Sequence, residues 1–189
     1  MRHEGRRQDP RPEGNGGGTA DGLSRIIVLP RAAAVMGPRY SAAIVPAMDL
    51  DEWVETAPAA LRESPLWTVR VYQIGTLVAR LATQDAAALE RHPRFADTVS
   101  QLVKSAGSVS ATVAEGYSRQ SRRERIKYYE YGLGSAREAT TWYSNAGNAL
   151  PAETVDQRLT LLARACQLLL KMIQNERKGR GRQFPRDLP

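Results

Sequence analysis

Glu115 and Glu138 are the acids that stand out first, each set among small residues near the middle of the chain. Two carboxylates can do acid–base work if they lie close together and burial tunes them apart. The other parts of such a site are missing. Cys166 is the only cysteine, and His3 and His92 are the only histidines, so there is no His/Cys constellation for zinc and no obvious Cys–His pair. Gly134-Ser135-Ala136 lacks the Lys-Ser/Thr of a phosphate loop and falls inside a helical pattern. No catalytic residue, cofactor, metal or small-molecule substrate is therefore expected. A structural role is the better reading of both acids. Glu138, mid-helix among small residues, is expected to be buried and to accept from Ser108, Ser110 or Thr112. Glu115, at the close of a helix where a negative charge meets the helix dipole unfavourably, is expected to pair with Arg119, Arg122 or Arg123.

The cations offer a second chemistry, anion binding. The chain has 27 Lys and Arg against 20 Asp and Glu, a formal charge of +7. Residues 1–64 carry a net −1 and residues 65–189 a net +8, so the excess lies in the second part. It clusters twice. Arg119, Arg122, Arg123, Arg125 and Lys127 form one group; Lys171, Arg177, Lys178, Arg180, Arg182 and Arg186 form the other. Nucleic acid is the natural partner for such clusters, ahead of a membrane. Solubility alone is the competing explanation, because a net charge of this size is ordinary. Tyr117, Tyr128, Tyr129, Tyr131, Trp142 and Tyr143 crowd the same region. Tyr129 and Tyr143 fall on an apolar helical stripe. Tyr128, Tyr131 and Trp142 fall off it, which points to a subunit contact in preference to base stacking.

These groups need elements to position them. Residues 1–47 are Gly-, Pro- and Arg-rich without periodicity and are expected to be a disordered extension. Residues 48–63 form an acidic linker in which Leu50, Trp53, Val54 and Ala57 have the spacing of a short helix ended by Pro58. Ser64-Pro65 is a helix start, and a helix is expected from there to Ala82 or on to Leu89. Its apolar arc (Trp67, Val71, Ile74, Val78 and Leu81, widened by Val69, Tyr72 and Leu77) is broad enough to need cover on a second side. Further stripes of period near 3.5 predict helices over 94–115, 122–147 and 152–178. Short joining turns make neighbours antiparallel, giving an all-α, up-down-up-down antiparallel four-helix bundle over 64–178. Residues 179–189 are a basic, glycine-punctuated tail expected to be mobile. Cys166 lies on the last stripe and reads as a buried structural thiol in a reducing, cytoplasmic setting. No stretch approaches the ~20 apolar residues of a membrane span.

The centre of this arrangement is a hairpin. Ser108-Val109-Ser110-Ala111-Thr112-Val113-Ala114-Glu115 reads as the last turns of one helix, with Gly116 as the left-handed residue that ends it. Ser121-Arg122-Arg123-Glu124 has the form of a capping box opening the next helix. Small residues on both arms (Ala106, Ser110 and Ala114; Gly132, Gly134, Ser135, Ala136 and Ala139) are expected to let the two backbones approach closely.

Ser108 to Gly116, with Arg119, Ser121 and Gly134-Ser135-Ala136-Arg137-Glu138, resembles the small four helix bundle proteins first met as products of intervening sequences inside bacterial 23S ribosomal RNA genes. That family carries Ser-Ile-Pro-Ala-Asn-Ile-Ala-Glu-Gly and then Gly-Ser-Ala-x-Glu. Ser110 stands here where the family often has Pro, and Thr112 where it often has Asn. The resemblance extends in layout over residues 65 to 178. It implies a pentameric ring as the homo-oligomer. A related bundle serves as an accessory subunit to the reverse transcriptase of diversity-generating retroelements. Two functions stay open: a nucleic-acid-binding module that grips RNA or DNA through one basic end, and a structural or adaptor oligomer whose partner is another protein. In the first, the acidic run from Asp49 to Glu55 is expected to fold back over the basic end.

Overall fold

The computed structural model describes residues 48–146 and 149–181. The described residues all belong to one compact unit. The expectations for residues 1–47 and for Arg182 and Arg186 lie outside the described residues.

Those residues are helical throughout. Two short helices, α1 (Leu50–Thr56) and α2 (Ala59–Arg62), precede four long ones: α3 (Arg70–Leu89), α4 (Ala96–Ser118), α5 (Arg122–Ala146) and α6 (Ala152–Arg177). Each long helix turns its apolar stripe into one core. Ile74, Leu77 and Val78 of α3, Leu102, Val109 and Val113 of α4, Ala136 and Tyr143 of α5, and Leu162 and Leu169 of α6 have no exposed surface. The expected stripes on these four helices are therefore the buried ones.

The first long helix begins later than its sequence suggests. Ser64 does cap a turn, its Oγ accepting from the Leu66 N–H at 3.2 Å, but the turn is a tight 3-10 turn over Pro65–Thr68. Val69 is extended (φ −87°, ψ 103°), and α3 starts only at Arg70. The kink lets Gln73 donate from Nε2 to the Trp67 carbonyl at 2.6 Å. It also turns Trp67 back onto α3, where it meets Trp53 and Tyr72 edge-on at 6.3 and 6.2 Å. Helix α1 completes the cover. Leu50, Trp53 and Ala57 are buried, and the Trp53 indole N–H donates to Thr76 Oγ1 at 3.1 Å. The second side of the wide α3 arc is thus covered from within the chain.

Close approach between helices rests on Gly132, one of the small residues expected to allow it, and on Gly75, but not on Gly134. A Cβ at Gly75 of α3 would lie 2.9 Å from the backbone nitrogen of Ser110, and one at Gly132 of α5 would lie 2.9 Å from Thr112 Oγ1. Gly134 is exposed, with nothing within 4 Å of its Cβ position. It lies on the outer face of α5, two residues from Gly132 and Ala136, which turn inward. Gly116 also departs from expectation. It does not end α4, which continues to Ser118 and closes on an extended Arg119. Gly116 is buried inside the helix, and its missing side chain is what admits the Tyr129 ring, 2.6 Å from the Cβ position.

Candidate nucleic-acid interface

The turn between α4 and α5 is only three residues long, and Arg125 holds it. Its Nε and Nη2 donate to Glu176 Oε1 and Oε2, both at 2.9 Å, a bidentate pair across to the last turn of α6. Its Nη1 donates to the carbonyls of Arg119, at 3.1 Å, and Gln120. Both side chains are almost wholly buried, at 6% and 4% exposure. A buried pair survives only with such added hydrogen bonds. Arg125 is therefore withdrawn from the expected phosphate-binding set: its charge is spent on Glu176 and on two backbone carbonyls.

Glu176 anchors the far side. Beyond α6, Gly179 adopts φ +71°. Its N–H donates to the Glu176 carbonyl at 3.0 Å, and the Arg180 N–H donates to the Asn175 carbonyl at 2.8 Å. Those two bonds make a Schellman motif, which needs a left-handed residue and so favours Gly179. The chain then folds back, leaving no room for a side chain at Gly181 over the Glu176 carboxylate. Residues 179–181, expected to be a free tail, are thus packed against α6. The Arg122 guanidinium lies 3.5 Å from the Cβ position of Gly179, so the two cationic clusters meet in space.

On the surface of this junction Arg122, Arg123, Lys127, Lys171, Lys178 and Arg180 are exposed, and Arg119 is half-buried. Arg122, Arg123, Lys178 and Arg180 form no ion pair among the described residues. Arg177 is exposed and pairs with Glu130 at 2.6 Å. Arg119 donates from Nη2 to the Tyr128 hydroxyl at 2.9 Å, and its guanidinium carbon lies 4.8 Å from that ring's centre. Tyr128 meets Tyr131 edge-on at 6.0 Å, and Lys127 Nζ lies 5.7 Å from the Tyr131 ring centre. Tyr131 is 51% exposed. Four residues of α5 and its entry thus form one ladder, two stacked rings with a cation at each end. At the close of α6 is a pocket of about 220 Å³ lined by Val69, Tyr117, Tyr129, Met172, Asn175, Glu176, Arg180 and Gly181.

The two acids singled out from the sequence are not in this structure's polar core. Glu138 is exposed and accepts from Trp142 Nε1 at 3.3 Å on its own helix, leaving Trp142 half-buried. Ser108, Ser110 and Thr112 donate to carbonyls of α4 itself. Such back-bonding satisfies a hydroxyl locally and removes the need for a partner across the hairpin. Glu115 is exposed and pairs with none of Arg119, Arg122 or Arg123. Ala111 is exposed, Ser108 and Ser135 are half-buried, and Ala136 is fully buried. The acidic run makes its ion pair from Asp51 to Arg70 at 2.6 Å, not to either cationic cluster.

A second buried polar group went unforeseen. Asp85 of α3 accepts from Arg158 Nε of α6 at 2.9 Å and from the Tyr143 hydroxyl of α5 at 2.8 Å. Arg158 also bonds to Gln157 Oε1, and Gln157 Nε2 donates to the Met48 carbonyl at 3.3 Å. Burial, followed by the Asp85 charge, pushes the Tyr143 hydroxyl above its usual pKa. An Asp and an Arg within apolar stripes were the available signal. Cys166 is half-buried, short of the full burial expected, and burial pushes its thiol up, with the Arg137 charge opposing. No group of acidic, His and Cys side chains among the described residues can hold a metal. No helix among them is long and apolar enough to cross a membrane.

The helices and their junction define an all-helical domain, with a cationic surface where the α4–α5 turn meets the close of α6. The chain belongs to the 23S rRNA-intervening sequence protein family, whose profile matches residues 69–175. It is also similar to a crystal structure from Bacteroides thetaiotaomicron, a protein of unknown function from the S23 ribosomal protein family. The two share 19% identity over 55% of this chain and 98% of that one, with a TM-score of 0.52, a likeness of fold. No curated protein matches the chain.

Proposed function

We propose that this chain is a non-enzymatic homo-oligomer of up-down-up-down antiparallel four-helix bundles that binds the backbone of RNA or DNA through the α4–α5 turn and the close of α6. The antiparallel arrangement is supported by contacts that join the early part of one helix to the late part of its neighbour: Gly75 of α3 with Ser110 of α4, Tyr129 of α5 with Gly116 of α4, Arg125 of α5 with Glu176 of α6. The observation that carries the binding role is the set of exposed cations without ion-pair partners among the described residues, Arg122, Arg123, Lys178 and Arg180, drawn from two clusters distant in sequence. Phosphates are the chemistry that such a set fits, because each contact releases condensed counterions. Membership of a family named for an insertion in ribosomal RNA agrees with a nucleic-acid partner. A ring of subunits would repeat the surface several-fold. A cytoplasmic setting fits the lone thiol at Cys166.

An adaptor that meets another protein is the second reading. Tyr131 and Leu170, the large hydrophobic side chains left most exposed among the described residues, favour it. The test is charge reversal. Arg119, Arg122 and Arg123 changed together to Glu are expected to abolish RNA and DNA binding at low salt while the oligomer persists. Unchanged affinity would make the cationic surface a solvated face and the adaptor the better reading.

A further inference from the structure

The pocket at the close of α6 is lined unlike the cationic surface beside it. Val69 and Met172 contribute apolar surface to it, and Tyr117 and the almost buried Tyr129 contribute aromatic surface. Asn175 contributes an amide, which offers both donors and an acceptor. Arg180 stands at the same pocket, and the Arg122 guanidinium lies 3.5 Å from the Cβ position of the adjacent Gly179. The Glu176 carboxylate also lines it, but Arg125 holds both of its oxygens at 2.9 Å, so its charge is offset. At about 220 Å³ the pocket is smaller than the ~300–1,000 Å³ that enclose a whole drug-sized ligand, which suits one flat ring system and not a complete nucleotide.

Resting on the nucleic-acid reading above, we infer that this pocket receives one unpaired base of a single strand whose phosphates lie on Arg122 and Arg180. Base faces stack on aromatic side chains whatever the base, and an amide can meet the base edge. A base inside a duplex is stacked on both sides and cannot enter, so the pocket converts a general attraction for phosphate into a preference for single strands. No bond forms or breaks.

The test compares a short single-stranded oligonucleotide with an all-abasic strand of equal length and charge, both with the full-length protein. The pocket predicts that the abasic strand binds about tenfold more weakly, the scale of one lost base stack. Asn175→Trp, which fills the pocket, is expected to bring the base-bearing strand down to the abasic level. Tyr117→Leu does the same by removing aromatic surface, and covers the case in which the tryptophan variant melts early. Tyr131→Ala separates stacking on the outer ladder. Equal binding of the two strands by the wild type would overturn the pocket while leaving backbone binding intact. So would a base-dependent loss that follows Tyr131 and not the pocket variants. Failure of both strands to bind at low salt would remove the nucleic-acid reading itself, and the pocket with it.

Discussion

Arg125 and Glu176, 51 residues apart, face each other through two parallel hydrogen bonds of 2.9 Å and tie the α4–α5 turn to the end of α6. Removing one partner strands a buried charge. Arg125→Met is expected to cost about 3–5 kcal/mol, whereas Arg125→Met with Glu176→Leu is expected to recover most of it. Urea unfolding of the single and double variants measures the difference. Equal stability of the single variant and the wild type would mean that the pair is open to water.

The three glycines of the α4–α5 hairpin make opposite predictions. Gly116→Ala pushes a methyl group into the Tyr129 ring, with its Cβ position 2.6 Å from Cε1. Overpacking of this kind costs about 1–3 kcal/mol, and Gly132→Ala, against Thr112, should fall in the same range. Gly134→Ala has open space and replaces a flexible residue in an exposed helix, so it should stabilise by about 0.5–1 kcal/mol. Melting temperatures of the three variants check the order. A destabilised Gly134→Ala would mean that another chain covers that face.

What could be read from the sequence, and what could not, divides along the range of the interaction. The stripes of α4, α5 and α6 were legible because helical period is local, and so was the Ser64 cap. The break at Val69 was not, because it follows from Trp67 and Gln73 meeting after the chain has turned. Gly116 looked like a helix terminator on local grounds, yet its reason is a ring on the next helix. Arg125 looked like one more surface cation, since nothing in its neighbourhood names Glu176. Asp85 and Arg158, 73 residues apart, were passed over for the same cause. The cationic clusters were legible as clusters. Which of their members stay exposed was not.

Tyr143 gives a pH prediction. Its folded-state pKa is raised by burial and Asp85 above the ordinary value near 10.0. The unfolded chain therefore loses this proton first as pH rises. The contribution is fully present below pH 10 and is lost progressively above it. Tyr143→Phe should cost about 1 kcal/mol at neutral pH, the usual scale of one hydrogen bond, and should flatten the alkaline limb. An alkaline limb of equal steepness in the variant would assign it to other groups.

Cys166 is expected to be a slow nucleophile. Burial favours its protonated form, so less thiolate is present at a given pH than for an open thiol. Alkylation by iodoacetamide at pH 8 should run more slowly in the folded protein than in urea. A faster rate in the folded state would indicate that the Arg137 charge dominates.

The central claim is that the cations at the α4–α5 turn and the close of α6 bind phosphate. Its most direct test is the salt dependence of RNA and DNA affinity in the wild type and in the variant with Arg119, Arg122 and Arg123 changed to Glu. Each phosphate neutralised contributes about −0.9 to the slope of log affinity against log salt for duplex DNA and about −0.7 for single strands. The account predicts a steep negative slope for the wild type and loss of measurable binding in the variant at the lowest salt. An affinity indifferent to salt, or a variant that binds with the wild-type slope, would contradict it.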